Sequence, residues 1–319
     1  MLISSVGKLF LYADLKGVNM ARKNSIADVE DYKEFIPLFD KNYVRNSQNY
    51  TIISSVIEGG KFCPVFVYGI TGIGKTSEIE QACAEKKKPF FRVQITRETV
   101  DDDLIGSMKL VDGNTVWQDG PVIKAYKCGG ILLLDEMDLN PYLMILQGIL
   151  EGKPFFIKQT GELVTPAPGF NVFATSNSKG LGESDYIGTM VLNEAQRDRF
   201  ALYLEQEIPS ITQEKTIARK FIKNEELDIS PDMFTQIFKW VDLVRKAYIE
   251  GSSSIFISTR RIHFLLTALS MFKEPIDALR ATFSVYSKEN CEALILYWNS
   301  VSNIIDENAK KKEEKNLAS

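Results

Sequence analysis

A glycine-rich octapeptide between an apolar run and a helical stretch restricts the fold of this 319-residue chain more than any other feature. Its residues are Gly69, Ile70, Thr71, Gly72, Ile73, Gly74, Lys75 and Thr76, which match the pattern GxxxxGK[ST]. The apolar run 65–68 precedes it, and the stretch 77–83, which has helical character, follows it. Glycines allow backbone N–H groups to surround an anion, and the N-terminus of the following helix favours negative charge. We therefore predict a phosphate-binding loop, the alternative being a glycine-rich turn that merely contains a lysine.

Within this loop, Lys75 is predicted to neutralise the β- and γ-phosphates of a nucleotide, and Thr76 is predicted to hold Mg²⁺. Ser77 joins the eight loop residues in the predicted nucleotide-binding set. Two adjacent carboxylates, Asp135 and Glu136, follow the apolar run 131–134. After a phosphate loop, we expect Asp135 to reach the Mg²⁺ shell and Glu136 to polarise a water for attack on the γ-phosphate. Alone, two acids after a strand would indicate a solvated loop.

Three further polar residues are candidates for the same chemistry. Asn177 ends another strand-like run and could position the attacking water, although an Asn there is also an ordinary turn residue. Arg199 is a candidate charge donated to the nucleotide of a neighbouring subunit; the alternative is a surface ion pair with Asp198 or a nearby acid. Arg260, at the start of an apolar helix, could contact a phosphate, or it could lie in a solvated first turn. His263, the single histidine, is interpreted as a structural helix residue.

The chain's apolar pattern predicts an α/β core followed by a helical domain. Four short apolar runs, at 65–68, 90–95, 131–134 and 171–175, alternate with helical stretches, which indicates a doubly wound parallel sheet covered on both faces. Turn signals at 112–113 and 160–161 predict two hairpins. The predicted divisions are an N-terminal extension with short helices (1–45), the core (46–209), a helical lid (210–306) and a charged, disordered tail (307–319).

Composition narrows the function classes. The formal net charge of −4 argues against a chain whose whole surface attracts nucleic acid, so nucleic acid is a partner we do not favour. No run approaches the ~20 apolar residues of a membrane span, so no membrane association is expected. The four cysteines are widely spaced and no secretory signal is visible, which predicts a reducing, cytoplasmic setting.

These motifs, in this order, resemble an AAA+ ATPase, and more closely the MoxR group, which carries a helix-2 insert and a hairpin before the sensor-1 strand. The segments that carry the MoxR resemblance are 103–106, 120–125 and 129–136. Within that group, segments 74–81, 173–182, 188–189 and 192–200 are similar to the CobS family, the ATPase subunits of aerobic cobaltochelatases.

The resemblance implies a hexameric homo-oligomer with ATP and Mg²⁺ between subunits. It implies that Lys75 and Thr76 belong to Walker A, and that Asp135 and Glu136 form Walker B. It further implies that Asn177 is sensor 1, Arg199 the arginine finger and Arg260 sensor 2. A partner protein with a von Willebrand factor A-type domain is also implied.

Three functions are compatible with these features. The leading one is an ATP-driven ring that remodels a partner protein or complex and touches its client through the two predicted hairpins, which could otherwise be plain surface decoration. The second is a nucleic-acid-processing motor subunit, which the acidic net charge argues against. The third is an ATP-locked scaffold ring, which a complete set of hydrolytic residues argues against.

Overall fold

Five parallel strands form the central sheet of the computed structural model, which describes residues 29–41, 43–45, 48–180 and 190–317. The strands are β1 (Val65–Tyr68), β2 (Phe90–Gln94), β5 (Ile131–Asp135), β8 (Asn171–Ser176) and β9 (Leu202–Glu205), in the spatial order β2-β5-β8-β1-β9. The four predicted strands are confirmed, although β2 ends one residue earlier than the predicted run. The fifth strand, β9, was not predicted. It is a short edge strand whose partly exposed side chains lack the continuous apolar pattern of a central strand.

Helices cover both faces of this sheet, as the doubly wound interpretation requires. The helices of this part are α1 (Gln48–Gly59), α2 (Lys75–Glu85), α3 (Asp101–Ile105), α4 (Pro121–Cys128), α5 (Leu146–Leu150) and α6 (Glu194–Arg197). Alternate residues of each strand enter different cores: Leu132 and Leu134 pack with α3, α4 and α5, whereas Ile131 and Leu133 pack with α1 and α2. The carboxyl ends of the strands therefore lie at one edge of a sheet that is buried on both faces.

Both predicted hairpins are present. The strands β3 (Gly106–Val111) and β4 (Asn114–Asp119) pair around a two-residue turn in which Asp112 and Gly113 have φ angles of 49° and 79°. Positive φ at both central residues is the geometry that matches the twist of a tight hairpin, and it explains why an Asp-Gly pair occurs there. The second hairpin pairs β6 (Phe155–Ile157) with β7 (Glu162–Val164).

A layer of five helices follows the sheet, as predicted. These are α7 (Ile211–Asn224), α8 (Pro231–Ile249), α9 (Thr259–Met271), α10 (Pro275–Phe283) and α11 (Lys288–Leu317). Their core contains Trp240, whose ring lies edge-on to those of Phe283 and Trp298. Arg245 and Glu214 form an ion pair inside this layer, with side chains 4% and 1% exposed.

Of two expectations about the ends of the chain, one is wrong and the other concerns mainly residues outside the described ranges. The tail at 307–319 was predicted to be disordered, but α11 continues through it to Leu317. Lys, Glu and Ala, which dominate this segment, have high helix propensity, and a continuous helix upstream removes the cost of nucleation. The predicted N-terminal short helices fall mainly on residues 1–28, outside the described residues; residues 29–35 form a 3-10 helix.

Within the described ranges, no helix is long and apolar enough to cross a membrane.

Candidate active site

The glycine-rich loop lies where β1 ends and α2 begins, at the carboxyl edge of the sheet. Gly72 and Gly74 have φ angles of 77° and 100°, a region that favours glycine, and Gly74 is the residue before the first turn of α2. A Cβ atom at Gly72 would lie 2.8 Å from the Ser258 hydroxyl oxygen at the start of α9. The loop glycines therefore permit both the loop's path and the close approach of the helical layer.

Lys75 is the first residue of α2, and its side chain is buried under the loop. Its Nζ donates hydrogen bonds to the carbonyl oxygens of Gly69 and Ile70, at 2.7 and 3.0 Å, and to Asn177 Oδ1 at 3.0 Å. Burial lowers the pKa of Lys75 to about 8, while the nearby carboxylates of Asp135, Asp138 and Glu136 act in the opposite direction. The structure thus joins two predicted site residues, Lys75 and Asn177, that are 102 positions apart.

Asp135, the last residue of β5, accepts hydrogen bonds on both carboxylate oxygens. Oδ1 accepts from Thr76 Oγ1 at 3.0 Å and from the hydroxyl of Thr175. Oδ2 accepts from Arg92 Nε at 2.8 Å and from an Arg92 NH2 group. Thr76 and Asp135 together present adjacent hydroxyl and carboxylate oxygens, which is the hard donor chemistry that Mg²⁺ takes beside nucleotide phosphates. The residues present therefore fit a magnesium–nucleotide site.

Glu136 follows β5 directly and adopts a left-handed backbone conformation, with a φ angle of 58°. Such a conformation is uncommon for a residue with a side chain and costs roughly 1–2 kcal/mol. The Glu136 N–H donates to Thr175 Oγ1 at 3.2 Å, and its carboxylate accepts a bond from Gln94 Nε2 at 3.2 Å. Gln94 was not a predicted site residue. Its position at the carboxyl end of β2, paired in register with Asp135, is a signal that only the strand order reveals.

Two adjoining cavities connect these residues. A polar cavity of about 280 Å³ is lined by the phosphate loop, both carboxylates, Asn177 and Arg260. A second, more apolar cavity of about 350 Å³ shares Gly72, Gly74 and Arg260 with it and extends between the N-terminal segment and the helical layer. A chain of phosphates fits the chemistry of the first cavity, and a purine-sized ring fits that of the second.

The second cavity was not anticipated from the sequence. Its wall includes Phe221 and His263, whose rings stack in parallel with centroids 4.0 Å apart. Burial lowers the pKa of His263 to about 4, so the imidazole is neutral near pH 7. His263 was interpreted as a structural helix residue; it lies in α9, as expected, and it also lines this cavity.

Arg260 reaches the loop through the first turn of α9. Its backbone N–H donates to the Gly72 carbonyl at 3.2 Å, and its side chain lines both cavities. Thr259, beside it, donates to Glu214 Oε1 at 2.7 Å, and the same oxygen accepts from Arg245 at 2.6 Å. The buried ion pair of the helical layer therefore holds the residue next to Arg260.

Arg199 is the one predicted catalytic residue that the structure leaves away from the cavities. Its Nε donates to Glu151 Oε1 at 2.8 Å, and its NH1 group bonds the Ala195 carbonyl. The ion pair considered as an alternative therefore exists within the chain, with Glu151 rather than Asp198 as partner.

A strand–loop–helix phosphate cradle, with carboxylates at the end of a central strand, defines a P-loop nucleotide-binding protein. The family model for the AAA domain of the dynein-related subfamily matches residues 64–200. The aerobic cobaltochelatase subunit CobS of Sinorhizobium sp is 28% identical over 259 residues, covering 78% of this chain and 77% of CobS. An uncharacterised protein of Staphylococcus haemolyticus is 34% identical over 188 residues, which cover 51% of this chain and 67% of that protein.

Midasin of Dictyostelium discoideum is 30% identical over 191 residues, which cover 58% of this chain and only 3% of midasin. The similarity to midasin is thus confined to a small part of a far longer protein. The chain belongs to the AAA+ ATPases and is related to CobS. ATP binding and hydrolysis are the activities of that family, in agreement with the polar cavity at the phosphate loop.

Proposed function

We propose that the chain is a Mg²⁺-dependent ATPase subunit of a hexameric ring that remodels a partner protein or complex. The observation that carries the ATPase part is the shared cavity: Lys75, Thr76, Asp135, Glu136 and Asn177 all line it. A nucleotide-binding scaffold needs the first three of these residues, whereas the last two are useful for activating and placing a water molecule.

Each residue has a role in this proposal. Lys75 exchanges its contacts with loop carbonyls for phosphate oxygens, and Glu136 accepts the proton of the attacking water, which Asn177 orients. Thr76 and Asp135 would hold Mg²⁺, which would neutralise charge on the phosphates. Arg260 places a positive charge at the junction of the two cavities.

The position of Arg199 supports the ring. It is 24% exposed at its side chain, and its partner Glu151 is also near the surface. The pair lies in the surface layer, so water can rehydrate both charges when it opens. We infer that Arg199 leaves Glu151 on assembly and acts on the nucleotide of the adjacent subunit.

The two hairpins support the remodelling part. Leu110 is 76% exposed and Leu163 is 63% exposed, each on a strand of a different hairpin, and Met108, Val111, Val116 and Phe156 are exposed as well. Grouped apolar side chains on the surface mark sites of protein contact. We infer that these hairpins touch the client. The relation to CobS, which by name is one subunit of a larger enzyme, supports a partner protein, and we propose one with a von Willebrand factor A-type domain.

The test is affinity capture with the Glu136→Gln variant, which should bind ATP and hydrolyse it slowly, from cells that make this protein. With ATP, the expected result is co-purification of a protein that contains a von Willebrand factor A-type domain. The Lys75→Ala variant is the matched control, because it keeps the same surface while losing nucleotide affinity, and it should capture nothing. Leu110→Ser should bind ATP normally but capture less.

Different results would point to the alternative functions. Capture of nucleic acid or of replication and repair proteins would contradict the proposal and favour a nucleic-acid-processing motor. Full biological activity of Glu136→Gln would favour an ATP-locked scaffold ring. Native mass spectrometry with ATP tests the assembly directly, and a species that stays monomeric at micromolar concentration would contradict the hexamer.

A further inference from the structure

Arg92 is a charged residue of the phosphate cavity that none of the motifs contains. It lies in β2 two positions before Gln94, so both side chains project from the same face of the sheet. Its guanidinium makes two hydrogen bonds to a single oxygen, Oδ2 of Asp135. The Arg92 side chain is 48% exposed and lines the phosphate cavity, whereas the Asp135 side chain is 7% exposed.

Both oxygens of Asp135 already accept two hydrogen bonds each, so a cation that binds there must displace at least one donor. Its Oδ1 accepts from two hydroxyls, and its Oδ2 is covered by Arg92. A threonine hydroxyl can turn its hydrogen away and offer a lone pair to a metal ion, but a guanidinium has no acceptor atom and carries a positive charge. A divalent cation at Asp135 and a guanidinium on the same carboxylate would lie only a few ångströms from each other. Their positive charges would therefore repel strongly.

We propose that Arg92 is a positioning residue that competes with Mg²⁺ for Asp135 and thereby sets the Mg²⁺ concentration at which the nucleotide site fills. Without metal, its guanidinium serves as the counter-ion of Asp135. When Mg²⁺ enters with nucleotide, Arg92 leaves the carboxylate and turns toward solvent and the phosphates. This inference rests on the Mg²⁺ dependence in the proposed function.

The surroundings of Arg92 allow this exchange. Nearly half of its side chain is in contact with solvent, so the guanidinium can be rehydrated as it leaves. The Arg245–Glu214 pair in the helical layer is the opposite case: it is buried, and Arg245 also donates to the carbonyls of Ile257 and Pro209. An arginine that is half exposed and bonds one carboxylate suits an exchangeable contact, while a buried arginine with several backbone bonds suits a permanent one.

The experiment measures ADP affinity with a fluorescent ADP while free Mg²⁺ is raised from an EDTA-buffered start. The variants are Arg92→Gln, which removes the charge, and Arg92→Lys, which keeps the charge but cannot form the two-pronged contact. Arg280→Gln is the matched control. Arg280 forms an exposed surface pair with Glu292, and its substitution changes the net charge by the same amount as Arg92→Gln.

For Arg92→Gln, we expect the half-saturating Mg²⁺ concentration to fall at least about fivefold relative to the wild type, the upper end for a fully exposed pair, because the Asp135 carboxylate is buried. The half-saturating concentration of Arg92→Lys should lie between those of Arg92→Gln and the wild type. That of Arg280→Gln should equal the wild-type value. Direct titration of Mn²⁺ into the ADP complex, followed by electron paramagnetic resonance, should show the same order.

An unchanged or higher half-saturating concentration in Arg92→Gln, with a thermal midpoint equal to that of the wild type, would overturn the inference and leave Arg92 a structural link between β2 and β5. A lower thermal midpoint with unchanged metal dependence would also overturn it. If ADP affinity of the wild type did not respond to Mg²⁺ at all, the proposed Mg²⁺ dependence itself would fail, and the inference with it.

Discussion

Nucleotide binding should draw protons from solution because of Lys75. Burial lowers its pKa to about 8 in the free protein, from a usual value of 10.5. The lowered pKa corresponds to about 3 kcal/mol against the charged form. Phosphate oxygens that replace the loop carbonyls would favour the ammonium and raise its pKa. At pH 8 about half of the free protein lacks this proton, so binding should take up about half a proton.

The sign of the pH dependence follows from this difference. The charged lysine is the form that binds phosphate, so affinity should be nearly constant well below pH 8. It should fall as pH rises above 8, approaching tenfold per pH unit until the pKa of the bound state is reached. His263, with a pKa of about 4, contributes no proton in this range.

Isothermal titration of ADP at pH 8, in buffers with different ionisation enthalpies, measures the proton uptake directly. Lys75→Arg is the informative control, because a guanidinium stays protonated at every accessible pH and the uptake should vanish. An uptake below about 0.1 proton in the wild type, or an affinity that stays constant between pH 7 and 9, would show that Lys75 is already fully protonated in the free protein at pH 8. An undiminished uptake in Lys75→Arg would assign the proton to another group.

Three further predictions concern stability, chemistry and assembly. Glu214→Gln leaves the buried Arg245 charge without its counter-ion and should lower the free energy of unfolding by about 3–5 kcal/mol in urea denaturation. Asp242→Asn, at the exposed pair with Lys246, should change it by less than about 0.5 kcal/mol, and equal effects of the two would contradict this account. Glu136→Gln should bind ADP normally yet release phosphate about 10²–10⁴-fold more slowly; near-normal turnover would exclude Glu136 as the base. Arg199→Ala subunits mixed into the wild type should reduce ATPase activity nonlinearly, whereas a linear decline would argue against action across subunits.

Local patterns in the sequence were sufficient for much of the fold and part of the site. The phosphate loop, the strands that flank it and the two hairpin turns depend on neighbours within a few positions, and the structure contains all of them. Two signals are of this short-range kind: a glycine at a position that requires positive φ, and a continuous apolar run that forms a buried strand. Asp135 and Glu136 could be chosen because they directly follow such a strand.

Contacts between distant segments were decided by tertiary structure. The edge strand β9 is held by β1, more than 130 positions earlier, and its own sequence has no strand pattern strong enough to predict it. Arg92 and Gln94 reach the two carboxylates only because β2 lies beside β5 in the sheet. Strand order is set by long-range packing, so no pattern along β2 alone identifies its polar residues as part of the site.

The sequence alone therefore predicts the chemistry of this chain, because the residues that would carry it lie in a contiguous loop and at the end of a strand. The surroundings of these residues depend on contacts between distant segments of the chain. The tertiary structure stacks Phe221 on His263 to line the second cavity, pairs Arg199 with Glu151, and places Arg92 on Asp135. The partners in these three pairs are 42, 48 and 43 residues apart in the sequence. At such separations, burial and strand order select the partner, and local propensity does not.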